Sequence, residues 1–176
     1  MQKTLGFLKS SKYIAGNHIL LVGGELFDDV RREDMFNEFF SEIIDMLLDN
    51  RIDLLYLNTN LCYDSNCVEM LTSLLDKFAK ANLLSKLKFT TSYDIAGRFL
   101  DNTREELFLR NNRLLTTRFP NLKIVANSIL TNEFCDSILS DSFDLFEFLE
   151  KNKISANLIP YIILDTALAP SRTLVF

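Results

Sequence analysis

The chain has 176 residues, 48% of them hydrophobic and 24% charged, and its formal net charge is −5. This composition predicts one globular domain over residues 1–176. The acidic balance, with no basic patch, argues against nucleic acid or anionic membrane as a partner. No apolar run approaches the ~18 residues of a membrane span, and residues 1–11 lack a signal peptide. Because three cysteines make no disulfide framework, we expect a cytoplasmic protein.

The first strand is predicted at residues 19–22, after an N-terminal segment of residues 1–17. It ends in Gly23, Gly24 and Glu25. Glycines let the backbone approach a ligand closely, and a glutamate accepts hydrogen bonds from an amine. The same three residues also suit a tight turn into a helix, because an acid favours the amino end of a helix.

An amphipathic helix is predicted directly after this corner. Apolar residues recur at helical spacing from Met35 to Leu48, which indicates about four turns with a single apolar face. We expect the helix to bury Phe36, Phe40 and Ile44.

The rest of the chain repeats this alternation of strand and helix. Apolar runs predict strands at residues 53–57, 87–91, 122–126 and 158–164. Helical patterns predict helices at residues 68–79, 105–118, 132–139 and 143–150. Comparable first positions of the strands recur every 33 to 36 residues, which is typical of repeated β-α units. Pro160 in the last strand favours an edge position or a bulge.

These units predict an α/β fold over residues 18–165 with a parallel sheet, and a tail at residues 166–176. Right-handed crossovers would bring the polar residues that end each strand to one edge of the sheet. Five units are too few for a closed barrel, so the sheet is either doubly wound or an arc of a partial barrel. The chain lacks the Gly-x-Gly-x-x-Gly run of dinucleotide folds, and a single histidine, His18, argues against a hydrolase triad.

Polar residues at the predicted strand ends form a recognisable series. The series is Gly23-Gly24-Glu25, Thr59-Asn60, Ser92-x-Asp94-x-x-x-Arg98, and the run from Val125 through Asn127 to Thr131. In the order and placement of these residues, from about His18 to Asp165, the chain resembles the radical S-adenosylmethionine (SAM) superfamily. The resemblance implies an open, TIM-like partial barrel, incomplete at its amino-terminal end, that binds SAM at the carboxyl ends of its strands.

The resemblance also implies which residues would bind SAM. The Gly-Gly-Glu corner would hold the amino group, and Ser92, with Asp94 or Arg98, would hold the ribose or the carboxylate. The guanidinium of Arg98 suits a carboxylate, although an ion pair with Asp94 or Asp101 explains it equally well. In chain order, the residues of this predicted SAM site are Gly23, Gly24, Glu25, Thr59, Asn60, Ser92, Asp94, Arg98 and Asn127.

The defining cysteine motif of that family is absent from this sequence. The motif, Cys-x-x-x-Cys-x-x-Cys, binds three irons of a [4Fe-4S] cluster through thiolates. Cys62, Cys67 and Cys135 have a different spacing, and we interpret them as loop or packing residues. We therefore predict no metal ligands, weak SAM binding by the isolated chain, and radical chemistry only if a missing segment or partner supplies the cluster.

Two functional interpretations remain open at this point. The chain is either a partial enzyme core, completed by a complementing chain that carries the cluster motif, or a non-catalytic relative that keeps the scaffold as a binding or interaction module. The first strand is expected to leave one edge unpaired, which allows a homo-oligomer through that edge. The sequence identifies neither the substrate nor a catalytic residue.

Overall fold

A five-stranded parallel sheet is the frame of the molecule. The computed structural model describes residues 6–7, 10, 18–21, 25–92, 102–130, 132–140 and 144–160. All neighbouring strands in the sheet are parallel, which confirms the α/β fold predicted from the repeat. The strands are β1 (His18–Leu21), β2 (Leu54–Asn58), β3 (Leu87–Ser92), β4 (Lys123–Leu130) and β5 (Ser155–Pro160).

The strands lie in the sheet in the order in which they occur in the sequence, β1-β2-β3-β4-β5. A doubly wound sheet instead reverses its order at a switch point. Because crossovers between parallel strands are right-handed, an unreversed order carries successive connections over the same face of the sheet. Among the described strands, β5 lies at one end of the sheet, and Pro160 is tolerated there because an end strand can lack an amide donor.

Helices connect the strands, and their ends are set by local hydrogen bonds. Asp64 caps one helix by accepting the amide of Cys67 at 2.9 Å, and Asp144 caps another by accepting the amide of Glu147 at 2.9 Å. None of the described helices combines the length and the apolar character needed to cross a membrane. The helices are α1 (Glu33–Leu48), α2 (Ser65–Lys80), α3 (Asn102–Arg118), α4 (Asn132–Leu139) and α5 (Leu145–Lys151), and short 3-10 turns lie at Val30–Arg32 and Leu84–Lys86.

Burial alternates along the central strands and separates two faces of the sheet. Leu55, Leu57 and Phe89 are completely buried, whereas Tyr56 and Lys88 are partly exposed. Successive side chains of a strand point to opposite faces, so one face packs against the helices and the other is accessible. We call the second one the open face.

The packed face contributes to a core rich in phenylalanine. Phe40 stacks on Phe27 with ring centroids 6.1 Å apart and meets Phe39 and Phe78 edge to face at 5.3 and 6.4 Å. Such arrangements suit the aromatic quadrupole. The core therefore ties α1 and α2 to the segment that follows β1.

The predicted core of α1 is right in two positions and wrong in one. Phe36 and Phe40 are buried, but Ile44 is only half-buried. The helix instead directs Ile43 and Leu47 inward, because these residues continue the stripe of Phe36 and Phe40 at spacings of three and four. Ile44 lies beside this stripe.

Two further predictions need correction. Ala79, which the helical pattern of residues 68–79 predicts on the apolar face of α2, is exposed. The last strand was expected at residues 158–164, whereas β5 begins at Ser155, which pairs with Val125. Pairing with β4 extends the strand into polar residues that an apolar pattern does not mark, and residues 161–164 lie outside the described part.

Candidate functional site

The carboxylate of Glu25 joins the end of β1 to the loop after β2. Its Oε1 accepts hydrogen bonds from the Leu26 amide at 3.1 Å, from Thr59 Oγ1 at 3.0 Å and from the Tyr63 hydroxyl. Its Oε2 accepts the Asn60 amide at 2.8 Å. An ionised carboxylate offers about four acceptor positions, two on each oxygen, so protein donors crowd Oε1 and leave one position on Oε2. We call Glu25, Thr59, Asn60 and Tyr63 the corner cluster.

Thr59 and Tyr63 form the buried side of the corner cluster. They are only 4% and 2% exposed, respectively, and their hydroxyl groups contact each other. Burial raises the pKa of Tyr63 well above its usual value, and the charge of Glu25 and its hydrogen bond raise it further. Tyr63 therefore remains a protonated donor to Glu25.

The loop from Thr59 to Asp64 is held in a conformation that its sequence alone would not favour. Leu61 has a φ of 56°, a left-handed conformation that is costly for a bulky residue. Its amide donates to Thr59 Oγ1 at 3.2 Å, and Asn60 Oδ1 accepts the Cys62 amide at 2.7 Å. These local bonds offset the strain and present the Asn60 amide to Glu25.

Helix α3 holds the same loop from its other side. The side chain of Asn111 is completely buried, and its amide group donates to the carbonyls of Leu61 at 2.8 Å and Tyr63 at 2.9 Å. Arg110 donates to the Tyr63 carbonyl as well, at 3.1 Å. Tyr63, Asn111 and Arg110 were not predicted from the sequence. Among them, Asn111 had a sequence signal, because a polar residue in the buried stripe of a helix indicates a buried hydrogen bond.

A second group of predicted residues lies farther along the same edge of the sheet. Ser92 and Asn127 are register partners on β3 and β4, and both side chains are half-exposed. The Thr59 amide donates to the Thr90 carbonyl at 3.0 Å, so the corner cluster and the end of β3 adjoin. Next to Ser92, the buried Thr91 hydroxyl has no hydrogen-bond partner within the described residues.

The structure thus brings four of the nine predicted SAM-site residues to the carboxyl ends of the strands, whereas Asn127, expected directly after a strand, lies inside β4, which continues to Leu130. Glu25, Thr59 and Asn60 touch one another, and Ser92 and Asn127 are adjacent. The other four, Gly23, Gly24, Asp94 and Arg98, lie outside the described residues.

The three cysteines do not come together. Within the described part of the chain, no three histidine, cysteine, aspartate or glutamate side chains are grouped so as to hold a metal ion. Burial and a hydrogen bond with Asp64 raise the pKa of the Cys67 thiol to about 11.

Comparison with known proteins assigns no family, because no protein-family model matches this chain and no curated protein matches it significantly.

Proposed function

We propose that this chain is a partial radical SAM core that binds SAM along the carboxyl edge of its strands. In this proposal the sheet is an arc of an open, TIM-like barrel, incomplete at its amino-terminal end. The unreversed strand order supports the arc, since it keeps the crossovers on one face of the sheet.

The observation that carries the proposal is the adjacency of Ser92 and Asn127 beside the corner cluster. A hydroxyl and an amide, both half-exposed and adjacent where β3 ends beside β4, suit the hydroxyl and carboxylate groups of a nucleoside linked to an amino acid. These groups fit the ribose or carboxylate of SAM.

The contacts of Glu25 change the role that we propose for it. Three protein donors crowd Oε1, whereas Oε2 accepts only the Asn60 amide and can accept one further hydrogen bond. We therefore propose that Glu25 anchors the corner formed with Gly23 and Gly24 through Oε1, and that Oε2 and the corner backbone hold the amino group of SAM. Asp94 and Arg98 remain proposed partners of the ribose or carboxylate.

Radical chemistry in this proposal needs a [4Fe-4S] cluster that Cys62, Cys67 and Cys135 do not hold as a group. The cluster would come from a segment or a complementing chain with three thiolates, and it would supply the electron that cleaves SAM. The isolated chain is then inactive. A cytoplasmic location is part of the proposal, because a reducing compartment suits both the cluster and the free cysteines.

Calorimetric titration with SAM tests the proposal. Neutral hydrogen bonds contribute about 1 kcal/mol each and association costs several kcal/mol, so we expect a Kd near 1 mM. Ser92→Ala should weaken binding by about three- to tenfold, which is the loss of one hydrogen bond. Ser85→Ala is the matched control, because Ser85 is exposed in the turn before β3. Folded wild-type protein that gives no SAM signal would contradict the proposal.

The alternative is a non-catalytic relative that uses the scaffold as an interaction module. It is favoured by β1, which lies at one end of the described sheet with Leu20 58% exposed. An accessible strand edge recruits a partner strand, in this case from a second copy. Sedimentation showing a dimer that Ile19→Pro dissociates, together with no SAM binding, would support this alternative.

A further inference from the structure

One row of side chains crosses the open face of the sheet from an apolar end to a basic end. Leu20 is the register partner of Tyr56, Tyr56 of Lys88, and Lys88 of Lys123. We call these four residues the basic row. It lies near the amino ends of β3 and β4, so it is separate from the strand-end residues proposed to bind SAM.

Ring contacts show that the row is an organised surface. The Lys88 ammonium lies over the Tyr56 ring, 5.3 Å from its centroid, and the His18 ring lies 5.4 Å from the same ring. A cation above an aromatic face is attracted by the ring quadrupole. Tyr56 therefore holds the Lys88 side chain on the open face.

The positive charge of the row is not balanced by nearby acids in the sheet. None of the five strands, over its described length, contains an aspartate or glutamate, although the chain has 24 acidic residues. The ion pairs found among the described residues, Arg31–Asp29 and Arg118–Asp76, include neither lysine. Within the described part of the chain, two positive charges thus lie on neighbouring strands, and the strands that carry them contain no acidic residue.

This arrangement is unfavourable by itself and favourable with an anion present. The backbones of neighbouring strands are about 4.8 Å apart. The flexible stem of Lys88 can therefore turn from Tyr56 on β2 toward Lys123 on β4 and bring both ammonium groups to a single anionic group. Like charges placed opposite each other in a sheet are destabilising, and an anion between them removes this repulsion. Ammonium groups bind carboxylate and phosphate as point charges.

We propose that the basic row binds a small organic anion, with its carboxylate or phosphate between Lys88 and Lys123. The apolar or planar part of the ligand lies across Tyr56 toward Leu20, which is 58% exposed. The row joins a charged end to an apolar end, and this matches a ligand with both features better than it matches a bare ion. The proposal does not depend on SAM binding, because its test uses no SAM.

The test is an NMR titration of the full chain at low ionic strength with three probes. Phenyl phosphate and benzoate carry the two candidate anionic groups, and benzyl alcohol is the neutral control. We expect phenyl phosphate, benzoate or both to shift amide signals of β2 and β3 saturably, and benzyl alcohol to do so at least tenfold more weakly. The stronger anion identifies the group that the site prefers. Equal binding of all three probes, or none by either anion, would overturn the proposal.

Two double variants distinguish anion binding at the basic row from an effect of the overall charge. Lys88→Gln combined with Lys123→Gln should weaken binding of the preferred anion at least tenfold. Lys80→Gln combined with Lys151→Gln changes the net charge equally at exposed helix positions and should leave the affinity within twofold. An equal loss in both double variants would overturn the proposal.

A variant at the other end of the row keeps the test independent of the lysines. Leu20→Asp places a carboxylate in the row at an exposed position, so it should weaken anion binding at least threefold without unfolding the chain. Leu20→Asn is its uncharged match and should bind within twofold of wild type. A Leu20→Asp protein with unchanged affinity would place the anion elsewhere and refute the assignment.

Discussion

Two regions along the carboxyl edge of the sheet differ in the hydrogen bonding and burial of their polar residues. In the corner cluster, four protein donors surround the Glu25 carboxylate, and Thr59 and Tyr63 are buried. At the end of β3, the buried Thr91 hydroxyl has no hydrogen-bond partner among the described residues, and Ser92 stays half-exposed beside Asn127.

The difference separates a structural role from a binding role among residues that look alike in the sequence. A carboxylate that accepts four protein hydrogen bonds stabilises the fold and offers a ligand only the remaining position on Oε2. Ser92, half-exposed at the end of β3, contributes little to stability and is accessible to a ligand. We therefore expect substitutions in the corner cluster to change stability, and substitutions at the end of β3 to change ligand affinity.

The largest expected effect is at Phe27, which joins the corner cluster to the core. Its ring meets Tyr63 edge to face at 6.0 Å and stacks on Phe40, and it is completely buried. Phe27→Ala should lower the free energy of unfolding by about 3 to 5 kcal/mol, measured by urea denaturation. Phe146→Ala is the control, because Phe146 is 76% exposed and should change stability by less than about 0.5 kcal/mol.

Asn111 tests whether α3 holds the loop of the corner cluster. Asn111→Ala leaves the buried Leu61 carbonyl without its donor and should cost about 2 to 3 kcal/mol. The matched variant is Asn112→Ala, because Asn112 is similarly buried but donates to the carbonyls of Asn152 and Lys153.

The two asparagine variants should differ in the reactivity of Cys62, which lies inside the loop that Asn111 holds. Alkylation of Cys62, followed by peptide mass mapping, should be faster in Asn111→Ala than in Asn112→Ala at matched stability. Equal rates would mean that Asn111 stabilises the protein without holding this loop.

Tyr63→Phe removes one donor to Glu25 and keeps the ring. We expect it to lower the free energy of unfolding by about 1 to 3 kcal/mol, because a partly buried carboxylate loses a hydrogen bond. Tyr56→Phe removes the same atom from a half-exposed ring on the open face and should cost less than about 0.5 kcal/mol. Similar losses in both variants would contradict the role assigned to the corner cluster.

The pH dependence of stability gives a second test of Tyr63. Its pKa is raised in the folded protein, so the unfolded chain releases the phenolic proton first, at about pH 10. The resulting stabilisation is complete below that pH, and above it declines by up to about 1.4 kcal/mol per pH unit. Urea denaturation between pH 8 and pH 11 should show the difference between wild type and Tyr63→Phe shrinking above pH 10. A constant difference would contradict the raised pKa.

The repeat of apolar runs was sufficient to predict the parallel sheet, because strand spacing and crossover handedness restrict the topology. It also placed Glu25, Thr59 and Asn60 at one edge. The repeat did not reveal that Tyr63 donates to Glu25, because this contact depends on the left-handed conformation of Leu61. A leucine at that position does not indicate such a conformation in the sequence. Ser155 was likewise not predicted in β5, because it is polar and belongs to the strand only through its pairing with β4.

Asn111 was the missed residue with the clearest signal. It lies with Asn112 between Phe108 and Leu115, and these four positions form one helical stripe at spacings of three, one and three. All four side chains are buried. Two asparagines within the apolar stripe of a helix indicate buried polar contacts, but their partners become known only from the fold.

Ser92 has the smallest expected effect on stability, so it is the strictest test of the difference between the end of β3 and the corner cluster. Ser92→Ala should change the free energy of unfolding by less than about 0.5 kcal/mol, because the side chain is half-exposed. Thr59→Ala, in the adjoining corner cluster, removes a hydroxyl that donates to Glu25 and accepts from Leu61, and should cost about 1 to 3 kcal/mol. Ser92→Ala should weaken SAM binding and leave stability unchanged. Thr59→Ala should lower stability and have the smaller effect on SAM affinity. A Ser92→Ala protein as destabilised as Thr59→Ala would mean that the end of β3 is also a structural element, and the proposed division between the two regions would then be wrong.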